Sequence, residues 1–359
     1  MILKNNIINL FKSKKVLITG HTGFKGTWFS QIFKEAGADV FGISLPLTEI
    51  NKHYKELNIH HDLNSSYFDV TNLEEVKKNI RRIKPDYIFH LAAQSLVRPS
   101  YADPVNTWKT NVLGTQSILE ALRVVDHKCI AVFVTSDKCY ENKEWLWGYR
   151  ENDQLGGSDP YSASKAATEL LISSYYRSYF SIKDSPIRLA SVRAGNVVGG
   201  GDWSQDRIVP DCIKTWMAGN ATTLRSPLST RPWQHVLEPL AGYLKLAVEL
   251  STNDMVSGHA FNFGPNPTQV KTVKDLVEAI SNRLNKNFPT VEYKIEQMKA
   301  VEKEAGLLKL NCDKAYEYLG WLPKMDFEKT VNFTADWYDA YYNEKIIITA
   351  TQIREYFSI

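Results

Sequence analysis

The segment VLITGHTGFKGTWFSQIFKEAG, from Val16 to Gly37, decides how this chain folds. Its short apolar start, Val16–Thr19, predicts a β-strand, and the residues after the turn place apolar side chains at helical spacing. Between strand and helix lie Gly20, Gly23 and Gly26. A tight turn needs glycine where φ is positive, and a pyrophosphate reaches the amides of a helix N-terminus only where no side chain intrudes. The segment therefore predicts a dinucleotide-binding unit.

Two features leave the kind of dinucleotide open. The glycine spacing is GxxGxxG, whereas the usual fingerprint is GxGxxG, so the prediction depends on the strand before the turn and the helix after it. The second predicted strand ends in FGISLP, where Ser44 stands in place of an acid for the ribose hydroxyls of NAD, with no nearby arginine for a 2′-phosphate. Asp69, which ends the third predicted strand, is either an acceptor for the adenine amine or an ordinary strand-end cap.

Strand and helix alternate through the first half of the chain. Strands are predicted at Val16–Thr19, Val40–Leu45, Tyr67–Val70, Tyr87–Ala92, Ile130–Thr135 and Ile187–Val192, with long helices at Pro104–Val125 and Tyr161–Phe180. This alternation is typical of an α/β fold with a Rossmann-type doubly wound parallel sheet.

The second half is less regular. Helices are predicted at Ile208–Ala218, Leu237–Leu250, Val273–Leu284, Asp313–Leu319 and Lys329–Tyr342, and short strands at Thr222–Arg225, His259–Phe263 and Val291–Ile295, while the tail after Tyr342 has no assignment. We therefore expect a dinucleotide-binding domain over residues 1–192 and a smaller mixed α/β substrate domain over residues 193–359, with segments that cross between the two.

Composition excludes several classes of function. The chain has 359 residues, 43% of them hydrophobic, and a net charge of +3 with acids and bases intermixed, so neither nucleic acid nor a membrane surface is an expected partner. Its four cysteines match neither a zinc site nor a disulfide framework. No metal is expected, and a reducing compartment fits best. With no signal-peptide core and no run near the ~20 apolar residues of a membrane helix, we expect a cytoplasmic protein.

A second stretch, Val132–Lys165, carries the chemistry. An apolar run leads into Ser136, Asp137 and Lys138, and Tyr161 and Lys165 follow four residues apart at the start of a helix. That spacing puts the phenol and the amine on one helix face, where an ammonium favours the phenolate and lowers the phenol pKa. Ligands of parallel sheets bind at the carboxyl ends of the strands, where Ser136 would lie. These residues predict an acid–base site.

The bare tyrosine–lysine spacing is not specific. It recurs at Tyr179 with Lys183 and at Tyr341 with Lys345, in polar segments that no strand-end hydroxyl precedes. The alternative for Tyr161 is an aromatic residue that packs against a loop, and for the SDK segment a solvated turn.

Together, GHTGFKG, HLAAQ, Ser136 and YSASK resemble the extended short-chain dehydrogenase/reductase family that acts on nucleotide sugars. TSDKCYENKEWLWGYRE, SVRAGNVVGGGDW and RPWQHVLEP are closest to the CDP-sugar dehydratases of that family. The resemblance implies bound NAD, CDP-glucose as substrate, and three steps: oxidation at carbon 4, loss of water across carbons 5 and 6, and return of the hydride to carbon 6. It also implies a homodimer, paired through the two long helices.

Roles for individual residues follow from the resemblance and from their chemistry. Tyr161 takes the carbon 4 hydroxyl proton, Asp137 is the acid for the leaving hydroxide, and Ser136 hydrogen-bonds the sugar hydroxyl or the tyrosine. Lys138 occupies the position of a glutamate base in related dTDP-glucose dehydratases; it needs to be neutral to act as a base, whereas its ammonium would oppose Asp137 as an acid. Lys165 holds a ribose hydroxyl.

The expected binding residues form two sets. The cofactor residues are Gly20, Gly23, Phe24, Lys25, Gly26, Asp69, Val70, Leu91, Ala92, Ala93, Asn111, Tyr161 and Lys165. The substrate residues are Asn196, Arg207, Arg231 and His235, with surface ion pairs as the alternative for the arginines and structural packing as the alternative for the histidine.

Two other functions share most of these features. A nucleotide-sugar epimerase would use the same glycine turn, Ser136, Tyr161 and Lys165, but needs no acid at carbon 6, so Asp137 with Lys138 favours dehydration. A non-catalytic NAD-binding protein on the same fold would not need the complete Ser, Tyr and Lys set.

Overall fold

The centre of the protein is a seven-stranded sheet in which every pairing is parallel. It is seen in a computed structural model, which describes residues 7–267, 269–285, 287–296 and 307–358. In spatial order the strands are β3 (Asn64–Tyr67), β2 (Asp39–Ser44), β1 (Lys15–Thr19), β4 (Tyr87–His90), β5 (Cys129–Val134), β6 (Ile187–Ala194) and β11 (Ala260–Phe263). The predicted Rossmann-type sheet is therefore confirmed.

Helices lie on both faces of this sheet and also form much of the second half. They are α1 (Phe24–Glu35), α2 (Lys52–Glu56), α3 (Leu73–Ile83), α4 (Val97–Ala102), α5 (Pro104–Trp108), α6 (Gly114–Leu122), α7 (Pro160–Tyr175), α8 (Ile208–Met217), α9 (Leu237–Thr252), α10 (Val273–Leu284), α11 (Asp313–Leu319), α12 (Phe327–Asp339) and α13 (Thr349–Ser358). Because side chains alternate along a strand, Val16 and Ile18 enter the core shared with α1 and α9, while Leu17 enters the core shared with α3, α6 and α7. Strands buried on both faces explain the continuous apolar runs in the sequence.

Most predicted elements are present within a few residues of their expected bounds. The long helix expected at Pro104–Val125 runs from α5 through a π-helical turn at Lys109–Leu113 into α6. The helix expected at Tyr161–Phe180 is α7 followed by a π-helical turn at Tyr176–Phe180. The unassigned tail forms α13, which packs against α1.

The predicted third strand, Tyr67–Val70, was wrong. The strand is the polar segment Asn64–Tyr67 at the edge of the sheet, where it pairs with β2. Its apolar followers, Phe68 and Val70, line a cavity beyond the strand end. Both also pack in the core beside α3 and α6, so their apolar character reflects burial beyond the strand end.

Besides its helices, the second half has three two-stranded sheets in the part of the chain that the structure describes. They pair β7 (Val197–Val198) with β10 (Gln234–His235), β8 (Thr222–Leu224) with β13 (Tyr293–Ile295), and β9 (Thr230–Arg231) with β12 (Lys271–Thr272). β11 lies beside β6, so a segment from the second half joins the main sheet. The division into residues 1–192 and 193–359 stays a prediction.

The cysteines form no disulfide: Cys129, Cys139, Cys212 and Cys312 are all free thiols. Within the described ranges, no helix is both long enough and apolar enough to cross a membrane.

A buried carboxylate fastens the C-terminal segment to the main body. Glu238, in α9, is only 1% exposed. Its Oε1 accepts from the backbone amides of Lys324 at 3.0 Å and Met325 at 2.7 Å, and its Oε2 accepts from the Tyr356 hydroxyl at 3.0 Å. Burial raises the pKa of Glu238 to about 7, with the three hydrogen bonds opposing the rise.

This raised pKa predicts a pH-dependent stability. Between the unfolded pKa and about 7, the folded state holds a proton on Glu238 that the unfolded state has released, so stability falls as pH rises. In E238Q, the amide oxygen can accept the two backbone bonds and the amide nitrogen can donate to Tyr356. We expect urea unfolding to show E238Q level with the parent near pH 5 and more stable by as much as about 3 kcal/mol at pH 8. Parallel pH profiles for the two proteins would contradict this account.

Candidate active site

A cavity of about 1250 Å³ opens along the carboxyl edge of the sheet. The predicted residues that line it are Gly20, Gly23, Phe24, Lys25, Gly26, Asp69, Val70, Leu91, Ala92, Ala93, Ser136, Asp137, Lys138, Tyr161, Lys165, Asn196, Arg207 and Arg231. The structure thus brings both sequence segments of the predicted site, and three of the four substrate candidates, to one continuous space.

The glycine turn forms a cradle that larger residues would fill. Gly20 has φ of +70°, and a Cβ there would lie 2.8 Å from the backbone nitrogen of Ala92. A Cβ on Gly26 would lie 2.1 Å from the carbonyl oxygen of Gly20. Helix α1 begins just after Gly23, with no side chain capping its first amides. Uncapped amides at a helix N-terminus beside a cavity suit a pyrophosphate, so these residues fit a dinucleotide.

Ser44 and Asp69, the two strand-end residues that the sequence analysis considered for the adenosine half, both line the cavity. Ser44 lines the cavity and donates to the Leu45 carbonyl oxygen at 3.0 Å. Asp69 lines the cavity and also accepts from the Thr71 amide at 2.9 Å. Asp69 therefore caps its strand end, and it still presents a carboxylate to the cavity.

The strand-end segment forms a compact polar group. Ser136 caps a single 3₁₀ turn, Asp137–Cys139, because its Oγ accepts from the Lys138 amide at 3.2 Å. The same Oγ donates to Asp137 Oδ1 at 3.1 Å. Lys138 Nζ lies 3.8 Å from that oxygen. The Asp137 side chain is 1% exposed, and its other oxygen, Oδ2, has no hydrogen-bond partner among the described residues.

Helix α7 places the tyrosine and the lysine. The helix begins after Asp159, whose carboxylate accepts from the Ser162 amide at 2.9 Å, and the Tyr161 amide donates to Ser100 Oγ at 3.2 Å. Burial raises the pKa of Tyr161 to about 12, while a hydrogen bond with Ser136 lowers it. The expected lowering of the phenol pKa by Lys165 is not seen.

The reason lies in where the amine points. Lys165 Nζ donates to the Val134 carbonyl oxygen at 3.3 Å. Burial lowers the pKa of Lys165 to about 8, and the charge of Glu169 opposes that shift. The lysine therefore shares the helix face of Tyr161 as predicted, but its ammonium is held against β5.

A buried ion pair that the sequence reasoning missed lies beneath these groups. Glu169 Oε2 accepts from Arg193 Nη2 at 2.8 Å and from Ser191 Oγ at 2.8 Å, and Glu169 Oε1 accepts from the Thr135 hydroxyl. Arg193 Nη1 donates to the Tyr140 hydroxyl at 2.8 Å. The signal for Glu169 was available, because it follows Lys165 by four residues and shares its helix face. Nothing local marks Arg193 as its partner.

Two of the predicted substrate residues, Arg207 and Arg231, are arginines that line the cavity. Arg207 Nη1 lies 2.9 Å from Asp202 Oδ2, and Arg207 Nη2 donates to Ser95 Oγ at 3.3 Å. Arg231 is 6% exposed and donates to the Thr230 carbonyl oxygen at 2.9 Å. Arg207 therefore forms an ion pair in the cavity wall, and Arg231 is buried there and bonded to the backbone, so their role in binding substrate stays a prediction.

Two predicted residues do not reach the cavity. Asn111 is buried, and its side chain donates to the Gln94 carbonyl oxygen at 3.0 Å and to Ser164 Oγ at 2.8 Å. It positions its neighbours instead of presenting a group to a ligand. His235 is fully buried between the rings of Trp28 and Phe333, and burial lowers its pKa to about 3. His235 therefore packs within the core, which is the alternative that the sequence analysis gave for it.

The glycine turn, the parallel sheet, and the serine, tyrosine and lysine at its carboxyl edge define the class of this protein, the short-chain dehydrogenases and reductases. Within that class, the family described as GDP-mannose 4,6 dehydratase matches residues 17–334. The chain belongs to this family.

Curated relatives agree with this assignment. The chain is 39% identical over 355 residues, 98% of each sequence, to CDP-glucose 4,6-dehydratase of Salmonella typhimurium. It is 29% identical over 255 residues, 70% of each sequence, to dTDP-glucose 4,6-dehydratase of Streptomyces antibioticus.

Solved structures with the same fold include dehydratases and epimerases. A dTDP-glucose 4,6-dehydratase from Streptomyces venezuelae with NAD and TYD bound has a TM-score of 0.77 at 21% identity, over 90% of this chain and 96% of that one. A UDP-glucuronic acid 4-epimerase from Bacillus cereus has a TM-score of 0.77 at 20% identity, over 91% of this chain and 100% of that one. At these identities the likeness concerns the fold alone.

The buried ion pair predicts strong coupling between its two members. Removing either charge leaves the other buried and unpaired, so E169Q and R193M should each lower the free energy of unfolding by about 3–5 kcal/mol. The double variant E169Q/R193M removes both charges of the pair and should be more stable than either single variant. Chemical denaturation measures all three.

The exposed pair of Arg283 and Asp336, 2.7 Å apart, is the matched control. Breaking it with R283M should cost less than about 1 kcal/mol. Additive losses for E169Q and R193M would show that the buried pair is not coupled.

Proposed function

We propose that this chain is an NAD-dependent nucleotide-sugar 4,6-dehydratase whose substrate is CDP-glucose. The observation that carries the proposal is the grouping of Tyr161, Ser136 and Asp137 on one wall of the cavity into which the glycine turn opens. This set supplies a base for the carbon 4 hydroxyl and an acid for the carbon 6 hydroxyl. The close likeness to the Salmonella enzyme supports CDP-glucose over other nucleotide sugars.

The glycine cradle and its surroundings would hold NAD. The amides at the start of α1 would face the pyrophosphate, Asp69 the adenosine half, and Lys165 a ribose hydroxyl. Bound NAD supplies an acceptor for the hydride from carbon 4 and a donor that returns it to carbon 6. The chain's own residues manage the protons.

Tyr161 takes the proton of the carbon 4 hydroxyl. Burial raises its pKa, the Ser136 hydroxyl and Arg207 lower it, and Asp137 and Asp159 raise it. The hydroxyl and the one guanidinium therefore oppose part of the effect of burial on the phenol. Ser136 lines the same cavity and would hydrogen-bond the sugar hydroxyl from which Tyr161 takes the proton.

Asp137 donates a proton to the leaving hydroxyl of carbon 6, and Lys138 is the base at carbon 5. The Asp137 side chain is 1% exposed, and its Oδ2 has no hydrogen-bond partner among the described residues, so this oxygen is available to a substrate hydroxyl. Lys138 Nζ lies 3.8 Å from Asp137 Oδ1, so the proposed acid and the proposed base are neighbours.

Arg231 and Arg207 would bind the two phosphates of the substrate, because guanidinium groups match phosphate oxygens in charge and geometry. Asn196 lies in the same wall, and its Oδ1 is buried without a partner among the described residues, so it can accept from a substrate hydroxyl. The choice of cytosine rests on the likeness to the CDP-glucose enzyme.

We also propose a homodimer in the cytoplasm. The outer surfaces of α5, α7 and the π-helical turn between α5 and α6 expose large apolar side chains: Val105 is 77% exposed, Leu113 48% and Leu170 60%. Exposed apolar residues on neighbouring helices are typical of an interface between copies. Equilibrium sedimentation of the purified protein at micromolar concentration checks the mass. The four free thiols support a reducing compartment.

The substrate assignment predicts a clear order among nucleotide sugars. With NAD present, CDP-glucose should yield a product 18 mass units lighter, whereas dTDP-, UDP- and GDP-glucose at equal concentration should give at least about tenfold lower kcat/KM, the effect of roughly 1.4 kcal/mol. Mass spectrometry and NMR of the product measure this. Absence of water loss from CDP-glucose would refute the proposed substrate.

The acid role predicts that D137N separates oxidation from dehydration. An amide cannot donate the proton that leaves with hydroxide, so product formation should fall by a factor of about 10²–10⁴. Oxidation at carbon 4 should persist, visible as absorbance of reduced cofactor near 340 nm. D126N, a change at an aspartate whose side chain is 87% exposed, should leave turnover unchanged. Normal turnover by D137N would exclude Asp137 as the acid.

A further inference from the structure

The segment that follows β2 lies against the glycine turn. It forms a single 3₁₀ turn, Glu49–Asn51, which leads directly into α2. The ring of Tyr54 in α2 packs edge-on against His21 of the glycine turn, with 5.2 Å between the ring centroids. Several residues of the segment also line the cavity beside the turn: Leu45, Pro46, Thr48, Ile50 and Asn51. The glycine turn is therefore supported from outside by a segment to which the proposed function gives no role.

Asn51 connects this segment to the glycine turn through both ends of its side-chain amide. The residue is 9% exposed. Its Oδ1 accepts from the Thr48 backbone amide at 2.9 Å and from the Thr48 hydroxyl at 3.3 Å. Its Nδ2 donates to the carbonyl oxygen of Thr22, between Gly20 and Gly23, at 2.9 Å. One side chain thus joins two segments that lie 29 residues apart in the chain.

The local 3₁₀ turn needs only the oxygen of this side chain. The capping box that starts the turn pairs Thr48 with Asn51 Oδ1. An aspartate would supply the same acceptor, with a charge that favours the start of a helix. The Nδ2 bond adds nothing to that cap, because its partner is a backbone carbonyl in the glycine turn. The cap therefore explains the oxygen of Asn51 and leaves its nitrogen unexplained.

The Nδ2 bond fixes one peptide group of the glycine turn. Because a peptide group is planar and trans, holding the Thr22 carbonyl also holds the Gly23 N–H on the opposite side. That N–H donates to the Gly20 carbonyl oxygen at 3.1 Å. A peptide that adjoins glycine rotates at little steric cost. Without the Asn51 bond, rotation would let a carbonyl oxygen face the pyrophosphate, which needs N–H groups there.

We propose that Asn51 is a positioning residue for the cofactor, because its side-chain amide holds the Thr22–Gly23 peptide in the orientation that a pyrophosphate requires. The inference deepens the proposed function and rests on its NAD-binding part, not on CDP-glucose as the substrate. Asn51 also ties the turn to the segment after β2, beside the adenosine half of the site. The cradle is thereby set before the cofactor binds, so less ordering is needed on binding.

N51D tests the amide nitrogen separately from the cap. The aspartate keeps an oxygen for Thr48 and places a second oxygen against the Thr22 carbonyl, so repulsion replaces the hydrogen bond. Isothermal titration calorimetry should show NAD and ADP-ribose bound at least about tenfold more weakly than by the parent. In turnover, KM for NAD should rise by a similar factor, while kcat at saturating NAD stays within about twofold of the parent value.

N79D is the matched control. Asn79 is 6% exposed, and its Nδ2 likewise donates to a backbone carbonyl oxygen, that of Glu75, at 2.9 Å. Its Oδ1 accepts from the Ser66 hydroxyl at 3.1 Å. Asn79 is not among the residues that line the cavity, so N79D should bind NAD as the parent does. N51A removes the donor without adding a charge and should weaken NAD binding at least about threefold, even if the carboxylate of N51D prevents folding.

A second readout needs no cofactor. In hydrogen-exchange mass spectrometry of the cofactor-free protein, residues 20–27 should exchange faster in N51D than in the parent or in N79D. The reason is that the Gly23 and Thr27 amides are protected by hydrogen bonds within the turn.

Two results would overturn the inference and leave the proposed function standing. One is equal NAD affinity in N51D, N51A and the parent. The other is the same weakening in N51D and N79D, which would indicate a general loss of stability. Failure of the parent to bind NAD would overturn the proposed function together with the inference.

Discussion

The arrangement of side chains at the carboxyl edge of the sheet depends on one buried ion pair, between Glu169 and Arg193. It joins the helix that carries Tyr161 and Lys165 to the neighbouring strand β6. The Glu169 carboxylate also accepts from Thr135, the residue immediately before Ser136. Both oxygens of Glu169 and both terminal nitrogens of Arg193 are hydrogen-bonded, while Arg193 Nε has no partner among the described residues. These bonds fix the geometry around the pair.

The pair also reaches the long loop between β5 and α7. Arg193 donates to the Tyr140 hydroxyl and to the Glu151 carbonyl oxygen, the latter at 3.0 Å. The Tyr140 hydroxyl in turn donates to Asn262 on β11. These hydrogen bonds thereby hold the end of β5, helix α7 and the loop between them in fixed positions. Such fixed positions matter for proton transfer, because reacting groups gain most when they are placed within hydrogen-bond reach beforehand.

The sequence was most informative where function depends on neighbours along the chain. The glycine turn and the four-residue spacing of Tyr161 and Lys165 are local patterns, and both appear in the structure as expected. Contacts between distant segments could not be predicted from the sequence. Arg193 contacts Glu169 only because the fold brings β6 beside α7. His235 likewise packs against Trp28 and Phe333 from distant parts of the chain. The phenol pKa was misjudged for the same reason, because burial outweighs a lysine whose ammonium points elsewhere. Phe68 and Val70 misled the placement of β3 because a cavity wall and a buried strand use the same apolar residues.

The central claim is that the hydride removed from carbon 4 returns to carbon 6 of the same sugar while the chain moves the protons. CDP-glucose that carries deuterium at carbon 4 tests this most directly, with the product analysed by NMR. The account predicts a 4-keto-6-deoxy sugar with deuterium in its carbon 6 methyl group. Deuterium returned to carbon 4 with no water lost would identify an epimerase and would contradict the account.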